Sequence, residues 1–438
     1  MSSDRNRLKE NFLRDLDRVH DHNALMNLMD GIFFSLGFAC ILPGIVIVSF
    51  LKHYTDNKFL LNLPVFISTT AFALGPFLAS FVSGRYPSKK RVMNATAVAH
   101  RLSWIPVLLS VLLFRDHPRI LLPVFLVTYT VFYACWGWSS IFWREMMGRL
   151  LHPDRQASAM GNREAISNII GFGSGFGVLA VLSFVPFPAN YPILFGFFLV
   201  TFSVALFFLF RYREAEYPVT HHEHPSAHLR SVLALPAKDP HFRWFLLFIL
   251  LSYGNLFTGS LYTTIGLDRF SSDRIFGIVL SADRLTGLMT VLTLLSTSIF
   301  SLILGRMADK RGRLWGYLPG TVMSVLLPLW AIFAHRPLGY LGLFLFTGTL
   351  SVAWFMELFV TLNFAPPEKR HLYIALVSLV KLVPVVIYTN VGGWIAQNLS
   401  PVVTLAVSSV FCLAGLFVML FKLAPEWTRM SSKPASVR

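Results

Sequence analysis

The sequence predicts an all-α, polytopic membrane protein with twelve transmembrane helices in two pseudo-symmetric six-helix bundles. Three observations carry that prediction. The first is composition: of 438 residues, 55% are hydrophobic and 15% aromatic, only 14% are charged, and the mean hydropathy is +0.60. Soluble chains carry about a quarter charged residues, so 41 Phe against 22 acidic residues is a lipid-facing balance. It excludes a disordered chain, a collagen-like repeat and a disulfide-stapled scaffold. The second is the length of the apolar runs. A membrane-crossing helix needs about 20 apolar residues, and such runs lie near 24–51, 61–84, 92–114, 120–143, 158–185 and 192–210. Six more follow at 243–265, 275–304, 315–334, 338–363, 372–397 and 402–423. All are too long for barrel strands of about 10 residues. The third is the placement of charge. A net charge of +16 on a soluble domain would suggest nucleic acid, but 28 basic residues fall in the even-numbered connections and the two ends, against 7 in the odd-numbered ones. That bias predicts cytoplasmic termini in a plasma (inner) membrane and no nucleic-acid partner.

Taken in order, residues 1–23 are polar, with Leu8, Phe12, Leu13, Leu16 and Val19 on one helical face. They fit an amphipathic segment lying under the membrane, or a frayed basic tail, and not a cleaved signal. The N-terminal bundle spans 24–210, the cytoplasmic linker 211–242, the C-terminal bundle 243–423 and the tail 424–438. In the linker, His221, His222, Glu223, His224 and His228 lack the fixed spacing of a structural metal site. Cys40, Cys135 and Cys412 sit inside spans without ligand-like spacing and read as small core residues. No metal or other cofactor is expected. The expected partners are a small-molecule solute, membrane lipid and protons as the coupling ion, with the chain a monomer.

The two halves repeat their punctuation. Gly84-Arg85-Tyr86-Pro87-Ser88-Lys89-Lys90-Arg91 follows the second run, and Gly305-Arg306-Met307-Ala308-Asp309-Lys310-Arg311-Gly312-Arg313 follows the eighth. His152-Pro153-Asp154-Arg155 follows the fourth, and Pro366-Pro367-Glu368-Lys369-Arg370 the tenth. A glutamate, Glu145 or Glu357, precedes each of these last two loops, and Asn27 in the first run has a counterpart in Asn255 of the seventh. Internal repeats of this kind mark transporter folds with a solute site at the repeat interface. The stretch from Gly305 to Arg313 is similar to the signature loop of the major facilitator superfamily, in its twelve-span bacterial-type permeases. The signature is a glycine, three residues, an aspartate, a basic residue, any residue, glycine and a basic residue. The resemblance covers almost the whole chain. It implies a gating loop in which Gly305, Asp309, Arg311, Gly312 and Arg313 latch one conformation. The first copy has Ser88 where the aspartate belongs, which implies asymmetric gating.

Ionisable groups inside spans are costly and are functional candidates by default. Asp30 lies a short way into the first run. Arg101 lies about nine residues into the third, roughly 13 Å deep. Two accounts fit: the two groups pair, or Arg101 snorkels toward headgroups. Glu357 and Lys381 lie at comparable depth in runs 10 and 11. They suit either a breakable ion pair, at which a substrate anion competes for Lys381 or a proton for Glu357, or a permanent structural pair. Asp283 and Arg284 fall at the outer membrane boundary, facing headgroups or capping the helix. Glu145, Arg155 and Arg370, with the Arg163–Glu164 pair, are cytoplasmic gate or structural candidates.

Tyr133, Trp136, Trp138 and Trp143 crowd the fourth run, and Trp354 lies in the tenth. The resemblance implies that runs 1, 4, 7 and 10 line a central cavity. Ring stacking there suits sugars, amphipathic organic molecules and cations alike. Run 5 carries Gly171, Gly173, Gly175 and Gly177. This is similar to the glycine-rich motif of the antiporter branch without its glycine-proline step, and close helix packing explains it equally well. The expected function is secondary active transport of a small organic solute by alternating access, proton-coupled, with a lean to export. Two alternatives stand. One is a membrane-embedded lipid-modifying enzyme, for which no P-loop, HExxH or GxSxG is present. The other is a signalling or partner-binding protein on a transporter scaffold.

Overall fold

In hydrocarbon a backbone must satisfy its own N–H and C=O groups, which an α-helix does within one segment. The apolar runs obey that rule. The computed structural model describes residues 2–83, 89–214, 235–364 and 370–425. Among these, eleven helical stretches are long and apolar enough to cross a membrane. The tenth run is covered by two helices, Pro337–Phe344 and Gly348–Phe364. The loop at Gly84–Ser88, the linker histidines, the loop at 365–369 and the tail beyond 425 lie outside the described residues, with the expectations placed on them.

The helices group into two units. One comprises residues 1–41 and 74–223. The other comprises 42–73 and 224–438, so the end of the first run and the start of the second pack with the C-terminal helices. Without a water-driven hydrophobic force between helices, close packing holds such units together. In the first unit Met93, Phe142, Met146, Leu150 and Tyr212 form a buried cluster. In the second, Phe242, Phe245, Phe248, Tyr317 and Met419 form another.

Four elements differ from the sequence expectation, each for a local reason. First, Ser2–Phe38 is one uninterrupted helix, so the polar segment continues into the first run without a break. Its polar end is held by Arg155, which pairs with Asp17 at 2.6 Å and Asp21 at 3.5 Å, and by His20, whose Nδ1 accepts from the His152 amide at 3.0 Å. Second, run 8 starts seven residues later than its hydropathy suggested, at Ala282. The apolar residues before it form a hairpin that pairs Arg274 with Val279 and Ile275 with Ile278. Phe276 and Gly277 turn it with φ of 49° and 81°, the positive pair that a two-residue hairpin turn requires. Third, the stretch from Gly305 is mostly helix: Ala282–Arg311 continues through it, and Gly312 alone makes the turn at φ 93°. Fourth, run 7 breaks. Helix Pro240–Ser252 gives way to a tighter 3-10 turn at Tyr253–Phe257 before Leu261–Phe270 resumes.

Candidate functional site

The break in run 7 organises the polar interior of the second unit. Asp239 starts the helix, its carboxylate accepting from the His241 and Phe242 amides. At the break, Ser408 donates to the freed Gly254 carbonyl at 2.9 Å. Asn62 accepts from the Ser260 amide at 3.0 Å and donates to the Thr389 carbonyl at 2.5 Å. Gly259 is required here twice over: its φ is 37°, and a Cβ would come within 1.9 Å of Asn62 Oδ1.

Unwinding turns Tyr253 toward Glu357. The tyrosine hydroxyl donates to Glu357 Oε2 at 2.8 Å, and Lys381 Nζ donates to Oε1 at 2.8 Å. The ammonium also lies 5.4 Å above the Tyr253 ring, close enough for a cation–π contribution. The Glu357 side chain is 6% exposed and that of Lys381 25%. The pair is therefore asymmetric: a buried carboxylate held by two donors, and a lysine side chain that is partly exposed. Asn255 lies two residues along, its Oδ1 buried and without a hydrogen-bond partner among the described residues. The Trp354 side chain lies outside the described residues.

In the first unit Asp30 does not form its ion pair with Arg101. Arg163 is the partner, its Nη2 3.5 Å from Asp30 Oδ2 and its Nη1 2.5 Å from Glu164 Oε1. Arg101 instead donates to the Phe202 and Ala97 carbonyls, at 3.4 and 3.3 Å, and stacks 4.0 Å from the Phe202 ring. It is 7% exposed, so it does not reach headgroup water either. Arg163 wins because its helix touches the first helix directly: a Cβ on Gly31 would meet Arg163 Cγ at 2.9 Å. Asn27 accepts from the Tyr212 hydroxyl at 3.2 Å and donates to Met160 Sδ at 3.4 Å.

The aromatic residues divide. Tyr133 is buried against Tyr129, Phe132 and Trp136. Trp138 packs on Phe142 at 6.4 Å, away from that group. His100 is enclosed by Phe132, Trp136 and Phe202, with centroids 4.7–5.1 Å away. Among the described residues no group of three or more His, Cys, Asp or Glu is placed to hold a metal.

The sequence profile of the Major Facilitator Superfamily matches residues 274–436. The C-terminal part of the chain is thus similar to that superfamily. No curated protein matches it in sequence. Solved structures do match in fold. A point mutant of the nucleoside transporter NupG superposes with a TM-score of 0.68 at 14% identity, over 92% of this chain and 100% of that one. A bacterial homologue of the iron transporter ferroportin gives 0.68 at 14%, over 93% and 98%. The xylose transporter XylE from E. coli gives 0.65 at 13%, over 92% and 98%. These likenesses are of fold, and all three solved structures are of transporters.

The superfamily signature is only partly visible. Gly305 lies in the last turns of its helix, Gly312 turns the chain, and Arg311 sits 5.8 Å over Trp315. The side chains of Asp309 and Arg313 lie outside the described residues, as do those of Glu145 and Arg370. Of the gate candidates Arg155 is placed, on Asp17 and Asp21.

Sequence reasoning missed a second polar network in the second unit. Lys52 and Lys58 share Asp268, at 2.6 and 2.7 Å, and Lys52 also pairs with Asp56. His53 Nε2 meets Asp283 Oδ1 at 2.9 Å, so Asp283 faces a protein partner and not headgroups. Thr286 donates to Ser49 at 2.6 Å and Thr263 to the Gly44 carbonyl at 2.6 Å. Charged residues on short connections read as solvated from sequence. The one available signal was their coincidence in odd-numbered connections otherwise poor in charge.

Proposed function

We propose that the chain is a proton-coupled transporter exporting a small organic solute that carries an anionic group. The observation that supports this is the asymmetry of Glu357 and Lys381. An anionic group reaching the Lys381 ammonium would take it from Glu357. The carboxylate would then be left with the Tyr253 hydroxyl alone, in surroundings that disfavour a lone charge. A proton on Glu357 removes that cost, so solute and proton are linked through one pair. The Gly173 and Gly177 positions favour a motif over simple packing, because a Cβ at either would meet nothing within 4 Å. Residues 42–73, clamped to the C-terminal helices through Asp268, Asp283 and Asn62, form the gate on the face opposite the termini. Segment 14–23, held by Arg155, forms part of the cytoplasmic gate.

Reconstituted protein tests the reading. Ligand-induced thermal stabilisation across sugars, amino acids, organic anions and drug-like cations should single out anions, and the stabilisation should vanish in Lys381→Met. Counterflow of that ligand should persist without a pH gradient, and accumulation should appear only with one. Accumulation indifferent to the gradient leaves a facilitator, and stabilisation surviving in Lys381→Met removes the pair from the site.

A further inference from the structure

The break in run 7 also opens a small cavity inside the second unit. Ser252, Tyr253, Asn255, Tyr317, Thr321 and Ser324 line it on the polar side. The hydrogen atoms of its three aliphatic hydroxyls are already committed. Ser252 donates to the Ile249 carbonyl at 3.3 Å, Thr321 to Tyr317 at 3.2 Å and Ser324 to Thr321 at 2.7 Å. Such back-bonding to the preceding turn leaves the hydroxyl oxygens as acceptors. Asn255 adds a fourth acceptor, the buried Oδ1 with no hydrogen-bond partner among the described residues. Asn255 also brings an amide N–H and Tyr317 a hydroxyl to the lining, which suits a small neutral molecule that both donates and accepts. A metal cation is a poor fit: no carboxylate lines the cavity, and the nearby Glu357 is already neutralised by Lys381 at 2.8 Å. An uncompensated charge in such a place is costly. Water is a neutral donor of the right size, and polar cavities of this kind hold ordered water.

The position of the cavity gives that water a use. Tyr253 lines it and also donates to Glu357 Oε2 at 2.8 Å. We propose that this cavity is a water-binding site that delivers protons to Glu357 through the Tyr253 hydroxyl, within the C-terminal bundle and independently of the solute. In the transfer, the Tyr253 O–H bond breaks as its proton passes to Oε2. A new O–H bond forms with a proton from the cavity water, which takes a replacement proton from a neighbouring water in the same concerted relay, so that no charged water is held there. The coupling carboxylate then has two approaches: the solute meets it through Lys381, and the proton through Tyr253.

This rests on Glu357 being the coupling group, and the test separates the two ideas. The full-length protein in liposomes is followed by infrared spectroscopy in H2O and D2O across the range in which carboxylates titrate. The protonated-carboxyl band of Glu357 is assigned by its loss in Glu357→Gln. In the wild type the band should exchange deuterium rapidly. Thr321→Val removes one acceptor at almost unchanged shape and should slow exchange about tenfold, with Thr321→Ser restoring it. Tyr253→Phe should slow it at least as much. Asn255→Leu should do the same, and if that variant does not fold, the Thr321 pair decides. A band present in every variant with unchanged exchange overturns the water route and leaves the coupling reading standing. A band absent at every pH overturns the coupling reading, and the route with it.

Discussion

Removing one member of the Glu357–Lys381 pair should not cost the same as removing the other. Lys381→Met leaves the carboxylate 6% exposed with only the Tyr253 hydroxyl as donor. Breaking a buried pair in this way typically costs about 3–5 kcal/mol, because a charge remains uncompensated. The lysine's own exposure of 25% places this case near the lower end, about 3 kcal/mol. Glu357→Gln leaves an ammonium that can turn toward water along its flexible stem. The new amide oxygen still accepts from Tyr253, so this substitution should cost about 1 kcal/mol, one neutral hydrogen bond's worth. The double variant removes both charges and should be more stable than Lys381→Met alone. At roughly 2–4 °C per kcal/mol, Lys381→Met should melt on the order of 10 °C below the wild type. A thiol-reactive dye reports the transition in detergent, since Cys40 and Cys412 are free and buried. A Glu357→Gln variant that melts below Lys381→Met, or a double variant no better than the worse single, would refute the reasoning.

Three further outcomes follow from the same structure. Arg163→Met strands Asp30 and should destabilise by about 3–5 kcal/mol, whereas Arg101→Met, with no carboxylate in its ion-pair range, should cost less than half of that; equal melting points would restore Arg101 as the partner. Asp268→Asn removes the pairs to Lys52 and Lys58 together, and at about 1 kcal/mol per partly exposed pair it should raise the opening equilibrium of segment 42–73 by roughly thirtyfold. A cysteine at the buried Ser49 should then react correspondingly faster with an impermeant maleimide, and an unchanged rate would show that Asp268 clamps nothing. Gly259→Ala puts a methyl group onto Asn62 Oδ1 at a positive φ and should cost at least about 2 kcal/mol; Asn62→Ala in the same background should recover part of the loss, and a simple sum of the two losses would mean that they do not meet.

How much of this was legible in the chain depends on how local each interaction is. The spans follow from apolar length, since the requirement that hydrocarbon sets on a backbone applies to each segment separately. Glu357 and Lys381 were found by depth alone, because adjacent runs joined by a short loop must lie side by side. Depth failed for Asp30, since Arg101 and Arg163 both sit within reach of its level. Only helix adjacency, enforced by Gly31, chooses between them, and no count along the chain contains it. The hairpin at 274–279 was hidden for a different reason. Ile275, Phe276, Ile278 and Val279 are as apolar as a helix start, and hydropathy does not see that Phe276–Gly277 takes two positive φ values. Break and site coincide in run 7 for one physical cause. A tight turn in a membrane helix frees carbonyls that need new donors, and Ser408 supplies one here. The unwound turn also brings Tyr253 onto a carboxylate that Lys381 holds from the other side. Polar residues thus gather at the break because an unwound backbone needs them, and a group that must gain and lose a proton inside a membrane needs the same surroundings.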